Sequence, residues 1–120
     1  MGKGFKELLV WQKARDLAID VYRITTKGSF KRDYGLTDQM RRSAVSVPSN
    51  IAEGDERDTD KDAIRFFYMA KGSLAELRTQ LDIANQIDYL DDKGFQNLDE
   101  KAVTIGKMLG SLIKARSKKL

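Results

Sequence analysis

Apolar residues recur along this chain in alternating steps of three and four, and this spacing constrains the fold more than any other feature. It fits one face of an α-helix, because 3.6 residues complete each helical turn. The spacing is found in four segments, which begin near residues 8, 36, 59 and 92. No segment alternates apolar and polar residues with the period of two that is typical of a half-buried strand. The spacing therefore predicts an all-α protein with four helices.

Each predicted helix has one apolar stripe, and we expect the four stripes together to form the core. The first stripe is Val10, Ala14, Leu17, Val21 and Ile24, and the second is Leu36, Met40, Ala44, Val47 and Ile51. The third is Phe67, Ala70, Leu74, Leu77, Leu81 and Ala84, and the fourth is Leu98, Ala102, Ile105, Leu109 and Leu112.

Glycines and capping residues set the predicted boundaries. Gly28 and Gly35 interrupt the first connection, and Gly54 follows the second stripe as a residue just beyond a helix C-terminus should. Thr59 is a predicted N-cap, and so is Asp91 or its neighbour Asp92. The predicted helices span residues 8–26, 36–53, 59–88 and 92–117. Since the connections are short, we expect a single domain over residues 1–120, an antiparallel up-and-down four-helix bundle.

The only proline of the chain, Pro48, lies inside the second predicted helix. Proline removes one backbone hydrogen bond and clashes with the preceding turn, so the sequence predicts a kink there. A kink would also change the direction of the first half of the helix, which carries Arg41 and Arg42. The alternative is that Pro48 begins a separate short helix, with Val47 or Ser46 as its N-cap.

Composition excludes several classes of function. The chain has no cysteine and no histidine, which excludes thiol nucleophiles, Cys/His zinc sites and histidine-based acid–base catalysis. Carboxylate, lysine and tyrosine chemistry stay open, but no motif in the sequence marks them, and we expect a protein that is not an enzyme and has no cofactor or metal. The carboxylates of residues 53–62 are the one candidate for a cation site, although a solvated loop is the favoured interpretation. No apolar run reaches the length of a membrane span, and we expect a cytoplasmic protein with no membrane partner.

The charges of the chain are unevenly distributed. Residues 1–50 carry ten Lys and Arg against five Asp and Glu, and residues 51–100 carry six against thirteen. Residues 101–120 carry six basic residues and no acidic one. Two interpretations stay open: the acidic middle pairs with the basic ends inside the fold, or a basic surface is available to polyanions.

The third predicted helix is apolar on two sides, which predicts that another subunit covers the second one. A surface helix normally carries charges opposite its core stripe. In the fourth helix Gly106 and Gly110 lie four residues apart and would allow a neighbouring helix to come close, either in another subunit or within the bundle. The predicted contact residues are Tyr68, Met69, Gly72, Ala75, Thr79, Ile83, Gly106 and Gly110.

Three stretches of the sequence resemble a known family. They are "ELLVWQKARDLAIDVY", "YGLTDQMRRSAVSVPSNIAEG" and "GSLAELRTQLDIA". They resemble the four-helix-bundle proteins encoded in intervening sequences of bacterial 23S ribosomal RNA, which are related to the accessory variability proteins of diversity-generating retroelements. The similarity covers most of residues 5–90. The chain departs from the family pattern at Lys31, where proline is frequent, and at Arg78, where an acidic residue is expected.

The resemblance implies a ring-like homopentamer of four-helix bundles. In the retroelement branch it also implies a basic surface that binds nucleic acid and a reverse transcriptase. The partners expected from the resemblance are therefore further copies of the chain, RNA or DNA, and a reverse transcriptase or another protein.

The basic side chains of the sequence supply candidates for contact with nucleic acid. They would bind phosphates without reading bases. For Arg41 and Arg42 the alternative is pairing with the acidic residues of the 53–62 segment, and for the C-terminal lysines it is a solubilising tail. A protein-interaction scaffold is the second hypothesis. The candidates are Lys13, Arg23, Arg41, Arg42, Lys107, Lys114, Arg116, Lys118 and Lys119.

Overall fold

The computed structural model describes residues 4–120, and four α-helices contain most of them. Helix α1 spans Leu9–Ile24, α2 spans Tyr34–Asp55, α3 spans Asp60–Gln86 and α4 spans Asp92–Ser117. Short 3₁₀ helices at Gly4–Glu7 and Gly28–Arg32 precede α1 and α2. No residue in the described range belongs to a β-strand. The prediction of an all-α fold is confirmed.

The helices form a bundle in which neighbours in sequence are also neighbours in space. Helix α2 packs most extensively against α3, α3 packs against α4, and α1 lies between α2 and α4. Helices α1 and α3 are therefore diagonal to each other. The molecule measures 46 × 21 × 21 Å, so the four helices run along one long axis. This is the predicted antiparallel up-and-down arrangement, since short connections return each helix beside the previous one.

The predicted stripes form the core of this bundle. Nearly all of their members are buried, and Val21, Met40, Phe67 and Leu109 are fully enclosed. Three members at the helix ends, Ile24, Leu36 and Leu112, are only partly buried. Ile113, four residues after Leu109, is buried more deeply than Leu112, since a step of four fits the helix period as well as the predicted step of three.

Side-chain caps fix where the helices begin. The Thr59 hydroxyl accepts a hydrogen bond from the Asp62 amide at 3.2 Å, and the Asp91 carboxylate accepts one from the Gly94 amide at 2.7 Å. Both predicted caps are confirmed, with Asp91 rather than Asp92 in the capping position. Asp33 caps α2 in the same way, which the sequence did not predict. Caps of this kind contribute about 1 kcal/mol each.

Asp33 also connects the start of α2 to the loop between α3 and α4. Its second carboxylate oxygen accepts a hydrogen bond from the Tyr89 hydroxyl at 3.0 Å. This hydrogen bond raises the pKa of Tyr89 above its ordinary value, because ionisation would remove the donor and set a negative charge beside the carboxylate. The Tyr89 ring also packs edge-on against Phe30, at 5.3 Å between the ring centroids.

The prediction that Gly54 ends the second helix is wrong. Helix α2 continues to Asp55, and only Gly4 and Gly28 among the described glycines have a positive φ. A Cβ atom at Gly54 would lie 2.7 Å from Cε1 of Phe67 and 3.0 Å from the carbonyl oxygen of Ala63. Glycine is needed here because α2 and α3 approach closely, and not because of backbone conformation.

The predicted role of Gly35 as a breaker is also wrong, since Gly35 lies in the first turn of α2. Gly28 does interrupt the chain, and its φ of 57° is in the left-handed region that favours glycine.

Helix α2 passes through Pro48 without a break, so the alternative of a separate short helix is wrong. The kink stays a prediction. Polar residues on both sides of Pro48 form hydrogen bonds: the Asn50 side-chain amide donates to the Ser46 carbonyl at 2.9 Å. The Ser46 hydroxyl lies 2.8 Å from the Ser73 hydroxyl of α3. The hydrogen bond between the two hydroxyls connects the region around Pro48 to the neighbouring helix.

Candidate functional site

Two lysines of α4 and a third directly after its last residue share one outward face, and we call them the α4 lysine face. Lys107, Lys114 and Lys118 are spaced seven and four residues apart, so they lie on one side of the helix. The spacing covers about 16 Å along the helix axis. All three are exposed, and none forms an ion pair with any residue between 4 and 120. This face therefore presents uncompensated positive charge to the solvent.

Arg116 was predicted with these lysines, but the structure directs it inward. Its Nη2 lies 3.3 Å from Asp55 Oδ1, and its Nη1 lies 3.1 Å from Asp60 Oδ1. The guanidinium carbon also lies 5.7 Å from the centroid of the Phe67 ring. Arg116 thus connects the end of α4 to the junction of α2 and α3, and its charge is compensated within the fold.

Arg41 and Arg42 have partners other than those weighed from the sequence. The Nε of Arg41 donates to the Thr25 hydroxyl at 2.9 Å, and its guanidinium stacks over Tyr22 at 4.6 Å. Arg42 pairs with Asp38, one turn earlier, at 2.8 Å. The alternative that both pair with the acidic residues 53–62 is therefore wrong.

The remaining candidates do not lie with the α4 lysine face. Arg23 is exposed at the end of α1, at the same end of the bundle as Arg41 and Arg42. Lys13 is exposed in the groove between α1 and α4. Lys119 lies two residues beyond the end of α4, next to Lys118, and is exposed. Within one protomer, the nine candidates do not form one continuous surface.

The acidic segment 53–62 is engaged by arginines. Glu53 pairs with Arg57 at 3.0 Å, and Asp62 lies 4.0 Å from Arg65. Two further carboxylates of this segment bind Arg116 as described above. Across residues 4–120, no group of three or more acidic side chains converges as a metal site requires.

The second apolar side of α3 is exposed, and we call it the α3 row. It consists of Tyr68, Met69, Gly72, Ala75, Thr79 and Ile83, all of them exposed. The exposed fractions of the three largest members are 58% for Tyr68, 50% for Met69 and 45% for Ile83. The row lies opposite the core stripe of α3, so no other helix of the same protomer covers it.

The two glycines of α4 have different surroundings. A Cβ atom at Gly106 would lie 3.4 Å from Cδ2 of Leu74, so this glycine packs against α3 within the protomer. At Gly110 a Cβ atom would have no neighbour within 4 Å. Gly106 thus fits the alternative of packing within the bundle, whereas Gly110 borders open space.

A second apolar surface, which the sequence did not predict, lies between α1 and α2. We call it the α1–α2 groove, and its volume is about 490 Å³. Ile19, Tyr22 and Val45 line it with exposed fractions of 40%, 45% and 42%. Pro48 forms part of its floor, and Arg15 and Arg23 flank it. The available signal was apolar residues outside the stripes of the first two helices.

Arg78, which the resemblance singled out as a departure, binds the neighbouring helix. Its Nε and Nη2 donate to the two carboxylate oxygens of Asp99 at 2.8 and 3.2 Å. These hydrogen bonds raise the pKa of the guanidinium above its ordinary value. Arg78 therefore links α3 to α4.

In the described part of the chain, no helix combines the length and the apolar character that crossing a bilayer requires.

The family model of the 23S rRNA-intervening sequence protein matches residues 6–111 of the chain. The chain belongs to this family. The match extends beyond the resemblance stated from the sequence, since it includes most of α4 and reaches Lys107 of the α4 lysine face.

The fold is similar to that of a solved structure. It is a protein of unknown function from the S23 ribosomal protein family of Bacteroides thetaiotaomicron VPI-5482, with a TM-score of 0.82. The alignment covers 88% of this chain and 99% of that protein, at 21% sequence identity. At 21% identity the similarity supports the fold of this chain and carries no information about its function. A comparison with curated proteins gives no match.

Proposed function

We propose that this protein is a non-enzymatic, self-associating bundle that binds the phosphate backbone of RNA or DNA through the α4 lysine face. The observation that carries the proposal is the charge of residues 101–120. This segment has six basic residues and no acidic one. Only Lys101 and Arg116 among them form ion pairs with described residues, and the other four are exposed.

The chemistry of this face favours phosphate over base recognition. Lysine ammonium groups bind phosphates as point charges and release condensed counterions, which gives affinity without sequence preference. Between Lys107 and Lys118 the helix offers no aromatic side chain for stacking on a base. We therefore expect binding that depends strongly on salt and weakly on sequence.

Self-association would increase the affinity for nucleic acid. A protomer offers only a few lysines, but copies of the same face on one assembly act on a single nucleic acid at high effective concentration. The exposed α3 row supports self-association, because monomeric proteins seldom leave such a stripe in contact with water. The pentamer is the subunit number that the family resemblance implies.

A salt titration tests the proposal. Binding of a fluorescent oligonucleotide, as RNA and as DNA of unrelated sequences, is measured between about 50 and 200 mM salt. We expect affinity to fall steeply and linearly on logarithmic axes, with similar values for different sequences. Absence of binding at the lowest salt, or binding that salt does not weaken, contradicts the proposal.

The second candidate is a scaffold for a partner protein, such as a reverse transcriptase. The observation that favours it is the exposed apolar surface on α3 and in the α1–α2 groove. Capture of partners from the native cell, followed by nuclease treatment, separates the two functions. Partners released by nuclease support nucleic-acid binding, and partners retained after nuclease support the scaffold.

A further inference from the structure

The α1–α2 groove is an apolar channel that the described residues leave open. Its lining on α1 runs over residues 15–26, which is about 16 Å along the helix axis. Val45 and Pro48 of α2 form the opposite side. Ile19, Tyr22 and Val45 remain nearly half exposed although they face the groove. The fold therefore leaves an apolar strip about three helical turns long in contact with water.

The charged side chains along this groove are basic. Arg15 and Arg23 line it on α1, about 12 Å apart along the axis. Arg41 of α2 borders it, because its guanidinium stacks over the Tyr22 ring at 4.6 Å. Neither Arg23 nor Arg41 forms an ion pair with any residue between 4 and 120. Among the described residues, no carboxylate lines the groove.

The carboxylates of the two helices lie elsewhere or are already paired. Asp16 and Asp20 line the separate groove between α1 and α4, where Asp20 pairs with a lysine of α4. Asp16 also pairs with Arg15, and Asp38 pairs with Arg42. The excess positive charge beside the groove is therefore that of Arg23 and Arg41. The remaining carboxylates on or next to these helices lie outside the range of the lining residues: Glu7, Asp33, Glu53, Asp55 and Glu56.

The shape and the lining of the groove fit a helix better than a small molecule or a nucleic acid. A small-molecule pocket encloses most of its ligand, which a groove with half-exposed walls does not do. A phosphate backbone would pair with the cations and leave the apolar strip uncovered. An amphipathic helix of about three turns covers such a strip with apolar residues spaced i, i+3 or i+4, and i+7.

We propose that the α1–α2 groove binds an acidic amphipathic helix of a partner protein. The apolar face of that helix contacts Ile19, Tyr22 and Val45, and carboxylates at the edge of the face pair with Arg23 and Arg41. The proposal rests on the scaffold function, the second candidate above, and adds where the partner binds and which chemistry it has. Because the α4 lysine face lies on a different helix, the partner and a nucleic acid can bind one protomer together.

The test selects binding sequences from a displayed library of helical peptides. Each peptide has about 14 residues, or about four turns, and its positions vary among leucine, alanine, glutamate, glutamine and lysine. Purified wild-type protein is the bait, and the enriched peptides are synthesised with a fluorescent label for anisotropy. We expect them to combine an apolar stripe with an excess of glutamate over lysine.

A groove variant with a matched control locates the surface that binds these peptides. The groove variant is Ile19→Gln/Val45→Gln, and the control is Leu9→Gln/Ile87→Gln, which removes two exposed apolar side chains elsewhere. The groove variant should bind the peptides about tenfold more weakly or worse, because it loses apolar contact area. The control should bind as the wild type does. Circular dichroism verifies that both variants fold.

A charge variant tests the pairing with the partner's carboxylates. The variant is Arg23→Glu, and its control is Lys71→Glu, which reverses one exposed cation of α3. The variant should weaken binding about threefold to tenfold, whereas the control should not. The preference for a peptide with glutamate over the same peptide with lysine should also decrease in the variant.

Several outcomes would overturn the proposal. They are enrichment of no peptide, enrichment of basic peptides, and equal binding by the groove variant and the wild type. Displacement of the bound peptide by a short oligonucleotide also overturns it, since the groove then belongs to a nucleic-acid surface. If no peptide is enriched and the groove variant has a lower mass than the wild type in sedimentation velocity, a second copy occupies the groove.

The scaffold function is tested separately by the nuclease experiment above. Partners released by nuclease contradict the scaffold function in the cell. The peptide measurements use purified components, so they decide the specificity of the groove whatever the result of that experiment.

Discussion

The outward faces of α3 and α4 are adjacent in the bundle but have opposite character. The α3 face is apolar at its centre, whereas the α4 face carries Lys107, Lys114 and Lys118, which have no acidic partner among residues 4–120. The inward faces of the same two helices are alike, since both contribute Leu and Ala to one core, together with Phe67 from α3 and Ile105 and Ile113 from α4. The core thus explains why these helices fold together, and the difference between their outward faces indicates what the folded protein contacts.

The largest effect should follow from placing charge in the α3 row. Met69→Lys/Ile83→Lys should weaken self-association about 100-fold or more, because the contact would have to bury two unpaired ammonium groups. Monomer stability should change by less than about 0.5 kcal/mol, since both side chains are half exposed. Sedimentation velocity and urea unfolding measure the two quantities. Normal assembly of this variant would contradict the role of the α3 face in self-association, which is what distinguishes it from the α4 face.

The next effect tests the α4 lysine face. Lys107→Gln/Lys114→Gln/Lys118→Gln should weaken oligonucleotide binding about tenfold or more and lower the slope of the salt dependence by about 2 to 3. Fluorescence anisotropy measures both. Self-association should be unchanged.

The matched control is Lys27→Gln/Lys31→Gln/Lys93→Gln, which removes the same net charge at the opposite end of the bundle. An equal loss of binding in this control would indicate a response to net charge and would contradict a specific lysine face.

A smaller effect compares two basic residues of the same turn of α4. Arg116→Gln should lower the free energy of unfolding by roughly 1–2 kcal/mol, because it leaves Asp55 and Asp60 without their partner. Lys114→Gln should leave stability unchanged and weaken nucleic-acid binding instead. Urea unfolding and anisotropy are measured on both variants. A loss of stability in Lys114→Gln and a loss of binding in Arg116→Gln would contradict the inward role of Arg116 and the outward role of Lys114.

The smallest effect is the pH dependence of stability that comes from Tyr89, a residue that belongs to neither outward face. Because the pKa of Tyr89 is raised in the folded protein, its hydrogen bond to Asp33 stabilises the fold fully below about pH 10. This contribution is lost as the pH rises through the folded pKa. Tyr89→Phe should therefore be less stable than the wild type at pH 7, and the difference should decrease at higher pH. A difference that is constant with pH contradicts the assigned hydrogen bond.

Much of the fold could be predicted from the sequence because a helix stripe depends on local spacing. The buried positions of α1 and α3 follow the step of three and four almost without exception, and Thr59 and Asp91 cap helices as their positions suggest. The exposed α3 row was predicted for the same reason, since the opposite side of a helix follows from its period.

The features that the sequence did not reveal depend on how the helices lie against each other. Gly54 has the sequence position of a helix end, but its small size serves the approach of Phe67. Arg116 resembles the lysines around it until the fold brings Asp55 and Asp60 to its side chain. The α1–α2 groove depends on how α1 and α2 are rotated relative to each other, and the apolar stripe of a single helix does not reveal that rotation.

The account depends most directly on whether a second copy covers the α3 row. Sedimentation velocity of the wild-type protein at micromolar concentration measures this. The account predicts a single species with a mass several times the 13.6 kDa of one chain. A stable species of 13.6 kDa, unchanged as the concentration rises, would contradict it.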